Sequence, residues 1–288
     1  MKVLLVSGLV LGLLYSVQAL AFVLVIRGTG VLNFAQGQIL ALGAYGYLAL
    51  NGRVGGSFLT ALLGMLALAG VVGVVVYDGI VRHLARAPLW TVVIALFALG
   101  LVLDSLIQIF WGSEPRFMEP PIQPRPVHLP GGLTADTLDL LVSAIAVACI
   151  AAVVLATYLT PLGRRMRASA DNQALAMHAG IDTRRIGRIS WALGSMMAAL
   201  AGLMVAVRTT VSPALTLAFL TAFPAVLIGG FESIGGAVVG AFLLAYALQA
   251  GVTYLGGAVA LPLAYALLFA MLLVRPHGLF GARDIVRI

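Results

Sequence analysis

The sequence predicts an all-α, polytopic membrane protein with about eight to nine transmembrane helices. Three observations carry this prediction: 62% of the 288 residues are hydrophobic, only 9% are charged, and the mean hydropathy is +1.10. Apolar stretches of about 20 residues, the length that a helix needs to cross a hydrocarbon core of about 30 Å, follow one another along the chain. We therefore expect one transmembrane domain over 1–288 and no separate soluble domain.

Nine candidate spans account for most of the chain. The first follows Lys2 and could be a signal peptide, but it is longer than a usual signal core and lacks a convincing small-residue cleavage site, so we interpret it as a retained helix. The candidate spans are 3–26, 31–50, 57–77, 89–111, 138–159, 186–207, 217–233, 236–254 and 258–274.

The arginines predict which loops face the cytoplasm, because cytoplasmic loops carry an excess of basic residues. On this rule the Pro-rich segment 112–137 is an extracytoplasmic loop and the N-terminus also lies outside, with Lys2 and Arg53 as mild exceptions. The net charge of +7 then indicates membrane orientation and not nucleic-acid binding. The arginines assigned to the cytoplasmic side are Arg82, Arg86, Arg164, Arg165, Arg167, Arg184, Arg185, Arg188, Arg275, Arg283 and Arg287.

A polar, glycine-rich segment interrupts the second candidate span. Between residues 28 and 46 it carries Asn33, Gln36 and Gln38 among five glycines. Polar side chains are costly in lipid, so we expect all three to face protein or a water-filled path. The glycines would allow close helix approach or a break in the helix. The sequence alone leaves open whether the amides join neighbouring helices or line a pathway.

Asp104 is the one carboxylate predicted to lie well inside an apolar span. An intramembrane acid suggests a proton or cation relay. The alternative is an acid near the outer interface that is hydrogen-bonded to neighbours such as Ser105, with Gln108 one turn away on the same face. No second buried carboxylate is evident to complete a relay.

Several functional classes lack the residues they need. Lys2 is the only lysine, so the chain cannot form a phosphate-binding P-loop and cannot itself hydrolyse ATP by that route. Cys149 is the single cysteine, and the four histidines (83, 128, 178 and 277) fall in or near loops with no metal-ligand or nucleophile–base spacing. We therefore expect no enzyme activity, no metal and no cofactor bound by this chain.

The loop 161–185 combines basic and helix-forming residues. Its Ala-, Arg- and Met-rich middle predicts a helix that ends near Gly180. On helical spacing one face is apolar, so this helix could lie on the membrane surface or enter a groove of a cytoplasmic partner. The apolar face comprises Leu162, Met166, Ala170 and Ala174.

Four separated blocks of the sequence carry a family resemblance. They are Gly8, Gly12, Tyr15 and Ala19; 30–35 with Gly37 and 43–45; 161–168 with Asp171, Ala176, Gly180, Ile181 and Arg185; and 227–230, 235–237 and Gly240 with 275–281. In this order, and over nearly the whole chain, they resemble the permeases of branched-chain amino acid ABC transporters. Position 36 departs from the pattern, because many members carry His where this chain has Gln36, which cannot titrate near neutral pH.

This resemblance implies an importer that takes its energy from other subunits. The implied partners are cytoplasmic ATPase subunits that use ATP, a second permease subunit (a paralogue or a second copy), an extracytoplasmic solute-binding protein and membrane lipid. The loop 161–185 becomes the cytoplasmic coupling loop, with Gly163, Arg164, Arg167, Asp171 and Gly180 as the residues that couple to the ATPase. Asn33, Gln36 and Gln38 would line the translocation path.

The resemblance implies branched-chain amino acids as substrate and the cytoplasmic membrane of a prokaryote as location. Relatives with the same motifs handle urea and short amides, which remain an alternative. A gradient-driven transporter is a further alternative and would require an intramembrane charge network, for which Asp104 is the only support in the sequence.

Overall fold

The computed structural model describes residues 2–53, 57–85, 87–129 and 133–281. Regular structure in these residues is almost entirely helical, as the sequence predicts. The helices are α1 (Lys2–Thr29), α2 (Gln36–Arg53), α3 (Phe58–Val76), α4 (Leu89–Trp111), α5 (Thr137–Leu159), α6 (Pro161–Asp171), α7 (Gln173–His178), α8 (Thr183–Arg208), α9 (Ala218–Gly229), α10 (Ile234–Ala250) and α11 (Gly257–Val274).

Seven helical segments of the described chain are long and apolar enough to cross a membrane. π-Helical turns at Tyr77–Val81 and Gly251–Leu255 extend α3 and α10. A 3₁₀ turn at Pro213–Leu217 precedes α9, and together they form a shorter apolar segment. The seven are Leu4–Thr29, Phe58–Val81, Leu89–Trp111, Thr137–Leu159, Thr183–Arg208, Ile234–Leu255 and Gly257–Val274. With α2 and Pro213–Gly229 they correspond in order to the nine predicted spans.

Helix α2 is 18 residues long but is not among the seven segments that are apolar enough to cross a membrane, and its burial explains how this is tolerated. It packs against α3, α4 and α8, and no residue from Gln36 to Leu50 is exposed. A helix surrounded by protein needs no apolar surface towards lipid, so it tolerates glutamines and closely packed glycines. α11 shows the opposite case, since only 17% of its membrane-length window is buried and nearly all of its residues are apolar.

The chain divides into two compact units. The α2–α8 unit comprises Leu24–Pro121 and Ala152–Leu220, and the α10–α11 unit comprises Met1–Val23, Ile122–Ala151 and Thr221–Ile288. In the α2–α8 unit, Trp191 of α8 is fully buried in a cluster that includes Val25, Val76, Tyr77 and Leu96. Its indole Nε1 donates to Thr29 Oγ1 (3.2 Å), so the largest side chain of this core leaves no polar atom without a partner.

Glycines allow helices to approach closely in the α10–α11 unit. Gly8 and Gly12 of α1 lie against the rings of Tyr246 and Phe242 on α10, where a β carbon would overlap the ring. Small residues at these positions therefore serve the packing of α1 on α10. The segment after α11 folds back onto the end of α9, because Leu279 and Phe280 donate their backbone N–H groups to carbonyls of residues 228 and 229 (2.8 and 3.1 Å).

The segment 112–137, predicted to be extracytoplasmic, contains a short hairpin that the sequence did not predict. Strand β1 (Pro126–Leu129) pairs antiparallel with β2 (Leu133–Asp136). Thr137, at the start of α5, holds the preceding chain in place: its hydroxyl donates to the Gln123 carbonyl (3.0 Å) and accepts from the Arg125 N–H (3.1 Å). The hairpin therefore enters α5 directly, with no free linker.

Candidate functional site

The polar segment forms a break between α1 and α2. Gly30 has a φ of +68°, a left-handed conformation that favours glycine, and α2 does not begin until Gln36. Asn33 organises the intervening turn: its Oδ1 accepts from the Ala35 N–H (3.0 Å) and its Nδ2 donates to Gln36 Oε1 (2.6 Å). The predicted span 31–50 is thus correct as a helix only from Gln36 onward.

Gln36 joins this break to α8. Its Nε2 donates to the carbonyl oxygen of Gly194 (3.3 Å), a residue 158 positions along the chain. Asn33 and Gln36 are only 1% and 2% exposed. Because each side chain has a partner inside the protein, this geometry resembles the helix-joining role more closely than direct contact with a solute.

Gln38 differs from the other two predicted path residues. It is half-buried, and its Oε1 is buried without a hydrogen-bond partner beside Gly100 of α4. Tyr45 lies two turns further along the same face of α2, with its ring 5.5 Å from that of Trp111, and its hydroxyl is also unpartnered. Sequence analysis missed Tyr45, although its spacing of seven residues from Gln38 could have indicated it.

The prediction of a single helix in the loop 161–185 is wrong, because the structure has two helices there, α6 and α7. α6 ends at Asp171 and α7 begins at Gln173. Asn172 separates them with an extended backbone (φ −160°), and its side chain caps α7 by accepting from the Leu175 N–H (3.0 Å). Asn is a strong N-cap residue and so restarts the helix in a new direction. Ala174 is exposed on α7 and does not continue the apolar face of α6.

α6 is fixed to the end of α5. Thr160 caps α6 by accepting from the Gly163 N–H (3.3 Å), and Gly163 packs so tightly on the Thr157 carbonyl that a β carbon would overlap it. Arg167 donates to that same carbonyl, and its guanidinium lies over the ring of Tyr158 (5.5 Å). Gly163 and Arg167 therefore determine where α6 sits.

The rest of the segment is exposed. Arg164 and Asp171 face solvent on α6, whereas α7 exposes Leu175 (66%) and Met177 (54%). Gly180, with a φ of +77°, ends α7 as predicted, and its N–H donates to the Met177 carbonyl (3.0 Å). Two large apolar side chains on a short exposed helix are what a groove on another protein would bind.

The loop after α3 and the α6–α7 segment lie at the same end of the α2–α8 unit. Arg82 and His83 line one cleft together with Gln173, Met177 and Arg184. This agrees with their assignment to one side of the membrane. Arg86, Arg283 and Arg287, which entered the same prediction, lie outside the described residues.

An ion pair that sequence analysis missed joins α3 to α8. Arg188 Nε donates to both carboxylate oxygens of Asp78 (3.0 and 2.8 Å). The π-helical turn carries Asp78 into the same helical segment as α3, and Gly187 packs against the ring of Tyr77 beside it. The signal in the sequence was Arg188, a charged residue inside the predicted span 186–207. Asp78 lies near the end of the membrane-length segment Phe58–Val81 and is half-buried.

Asp104 has one of its two predicted neighbours as a partner. Gln108 Nε2 donates to Asp104 Oδ2 (2.8 Å), as the one-turn spacing predicts. Ser105 does not contribute, because its hydroxyl donates to the Leu101 carbonyl (2.9 Å). The carboxyl group is half-buried. Among the described residues, no group of three or more His, Cys, Asp or Glu side chains could hold a metal ion.

Residues 4–275 match the family model described as "Branched-chain amino acid transport system / permease component". The chain belongs to this family. It is therefore a multi-pass membrane permease component of a transporter and not an enzyme. Because the match covers nearly the whole chain, the membership rests on the complete helical domain and not on one motif.

Similar curated proteins agree with this family membership. The high-affinity branched-chain amino acid transport system permease protein LivH of Escherichia coli (strain K12) is 24% identical, over 98% of this chain and 96% of that protein. The corresponding protein BraD of Pseudomonas aeruginosa is 24% identical over 99% and 97%. The probable branched-chain amino acid transport permease protein LivH of Methanocaldococcus jannaschii is 26% identical over 97% and 92%.

The Asp78–Arg188 pair gives a direct prediction for this permease. Asp78→Asn and Arg188→Gln are each expected to reduce solute uptake modestly, because each removes the ion pair that joins α3 to the start of α8. The side chains of the pair are 48% and 29% exposed, so the interaction is screened by solvent. The exchanged pair Asp78→Arg with Arg188→Asp should recover part of the loss. Uptake per unit of membrane-inserted protein is the measurement, and a double variant worse than both single variants would contradict it.

Proposed function

We propose that this chain is the permease subunit of an ABC importer that moves a branched-chain amino acid across the cytoplasmic membrane of a prokaryote. The observation that carries the proposal is the α6–α7 segment, which exposes Leu175 and Met177 at the end of the unit marked by basic residues. Lys2 is the only lysine, so ATP hydrolysis at a P-loop must occur on separate ATPase subunits.

In this proposal the coupling residues divide into two roles. Gly163 and Arg167 position α6 on the end of α5, as their contacts with Thr157 support. Arg164 and Asp171, which face solvent, contact the ATPase directly, with the exposed Leu175 of α7 inserted in its groove. Gly180 provides the left-handed turn that returns the chain to α8, so movement of α7 reaches a membrane-spanning helix.

The translocation path follows α2 in the same proposal. Gln38 contacts the solute through its unpartnered oxygen, with Tyr45 as a second polar contact on that face. Asn33 and Gln36 shape the start of α2 and hold it on α8. A second permease subunit completes the path, and an extracytoplasmic binding protein selects the substrate. Urea or a short amide is the alternative solute that the same family resemblance allows.

Purification from native membranes in mild detergent tests this proposal. We expect mass spectrometry to find, in fixed ratio, an ATPase with a P-loop and a second permease-like chain. In liposomes with the binding protein, the complex should then take up labelled leucine only with ATP, and urea should not compete. A stable assembly of this chain alone that is active without ATP would overturn the ABC assignment. Competition by urea would overturn only the assignment of a branched-chain amino acid as substrate.

Asp104 is the observation that favours a gradient-driven mechanism, and one substitution tests it. We expect Asp104→Asn to change uptake by less than about twofold, because an amide can keep the contact with Gln108 and an ATP-driven permease needs no charge there. Initial rates in proteoliposomes with matched protein content are the measurement. Complete loss of uptake in a well-folded variant would support the relay, and Ser105→Ala is a suitable neighbouring control.

A further inference from the structure

We propose that a basic cleft beside the loop joining α3 and α4 binds a phosphate group, and that this phosphate belongs to an anionic phospholipid. The cleft has a volume of about 700 Å³ and lies within the α2–α8 unit. Its lining includes Arg82, His83, Arg184, Tyr77, Gln173 and Leu89. The inference does not depend on the solute that is transported or on the source of energy.

Arg82 and Arg184 give the cleft a positive charge that no salt bridge neutralises in the described chain. Arg82 and Arg184 are exposed, and neither forms a salt bridge among residues 2–53, 57–85, 87–129 and 133–281. The lining contains no Asp or Glu. The nearby carboxylate of Asp78 is engaged by Arg188. Two arginines without a salt-bridge partner in the described chain therefore line one cavity, and guanidinium groups bind phosphate oxygens.

Neutral donors add to the site. The Gln173 amide and the Thr183 hydroxyl belong to the same lining. α4 starts at Leu89 in the cleft, and its N-cap, Pro88, provides no side-chain hydrogen bond to the first turn. The N-terminus of this 23-residue helix has a positive end that favours an anion, and it supplements the arginines here.

The position of the cleft favours a lipid as the source of the phosphate. It lies between the end of the membrane-length segment Phe58–Val81 and the start of Leu89–Trp111, which is the level of lipid headgroups. Leu89 and Trp90 are 62% and 74% exposed on the first turn of α4. Tryptophan is enriched at membrane interfaces, and these two side chains provide an apolar surface for acyl chains beside the charged cavity.

Native mass spectrometry of the delipidated protein in neutral detergent tests the site. We expect short-chain phosphatidylglycerol to bind more tightly than phosphatidylcholine of the same chain length. Arg82→Gln with Arg184→Gln should weaken phosphatidylglycerol binding about 30-fold, since each basic residue contributes about a factor of five. The control Arg164→Gln with Arg165→Gln removes the same charge outside this cleft and should leave binding unchanged. Equal loss in both pairs would overturn the proposal.

A second variant keeps both arginines, so it tests the site even if the double arginine variant fails to fold. Ala85 is exposed in the cleft, so Ala85→Glu places a carboxylate there and should also weaken binding, whereas Ala174→Glu on exposed α7 should not. Binding of inorganic phosphate with no binding of phosphatidylglycerol would overturn the lipid assignment. If the cleft variants still bind phosphatidylglycerol but no longer copurify with an ATPase, the lipid proposal is overturned, and the result would indicate that the cleft binds an acidic segment of a protein.

Discussion

Replacing Gly202 with valine is expected to leave almost no correctly folded protein in the membrane. Gly202 of α8 packs on the carbonyl of Leu40 in α2 so closely that a β carbon would overlap it. Gly43 of α2 lies equally close to the backbone of Ala199. In both contacts the closest overlapping atoms belong to the backbone of a helix, which cannot move aside as a side chain can. The substitution must separate α2 from α8, at an expected cost of about 3 kcal/mol or more.

Size-exclusion chromatography of a fluorescent fusion measures this loss directly. Gly52→Val is the matched control, because it introduces the same side chain into α2 at a position with open space around the β carbon. We expect a monodisperse peak from Gly52→Val and aggregated or degraded protein from Gly202→Val. Equal yields and equal thermal stability of the two variants would show that the α2–α8 contact does not hold the unit together.

Leu175→Asp is expected to reduce ATP-driven uptake at least about tenfold while the protein remains in the membrane. Leu175 is 66% exposed, so the substitution breaks no contact in the core of this chain. In the proposed complex the carboxylate would enter an apolar groove of the ATPase, and burial of an unpaired charge is costly. Uptake and ATPase copurification are measured together, with Leu175→Met as the control that keeps size and polarity. Normal uptake would contradict the coupling assignment.

Arg164 and Arg167 of α6 differ in their contacts, so their substitution is expected to have different effects on coupling and on stability. Arg164→Glu changes an exposed charge and should weaken coupling without loss of stability, and Arg164→Lys should retain function. Arg167→Glu removes the bond to the Thr157 carbonyl and the contact with Tyr158, so it should also lower the thermal stability of the isolated permease. If the two reversals lower stability equally, the division into contacting and positioning residues is wrong.

Gly180→Pro should uncouple the complex by a backbone mechanism. Proline fixes φ near −65°, whereas Gly180 has a φ of +77°. The turn that ends α7 and leads to α8 then cannot form, although the exposed surface of α7 is unchanged in composition. We expect ATP hydrolysis without proportional uptake. An unchanged ratio of solute moved to ATP hydrolysed would exclude this turn as part of the coupling path.

Much of the candidate site could be predicted from local patterns in the sequence. Apolar stretches and arginine-marked loops predicted the spans, and Gly180 predicted the end of α7. The division at Asn172 could not be predicted with the same certainty, because the Ala- and Arg-rich segment has helical propensity on both sides of it. In the structure the Asn172 side chain accepts from the Leu175 N–H, and this cap begins α7 as a separate helix.

Hydropathy and charge act on each segment separately, so the sequence predicts a polytopic helical protein before the packing is known. Which polar groups find partners depends instead on how the helices pack. Gln36 bonds to a carbonyl 158 residues away, and Arg188 pairs with Asp78 across 110 residues. Partners so far apart in the sequence cannot be predicted from a local pattern. The burial of α2 likewise depends on three neighbouring helices, which is why a helix that is not among the seven apolar segments can still lie inside the protein.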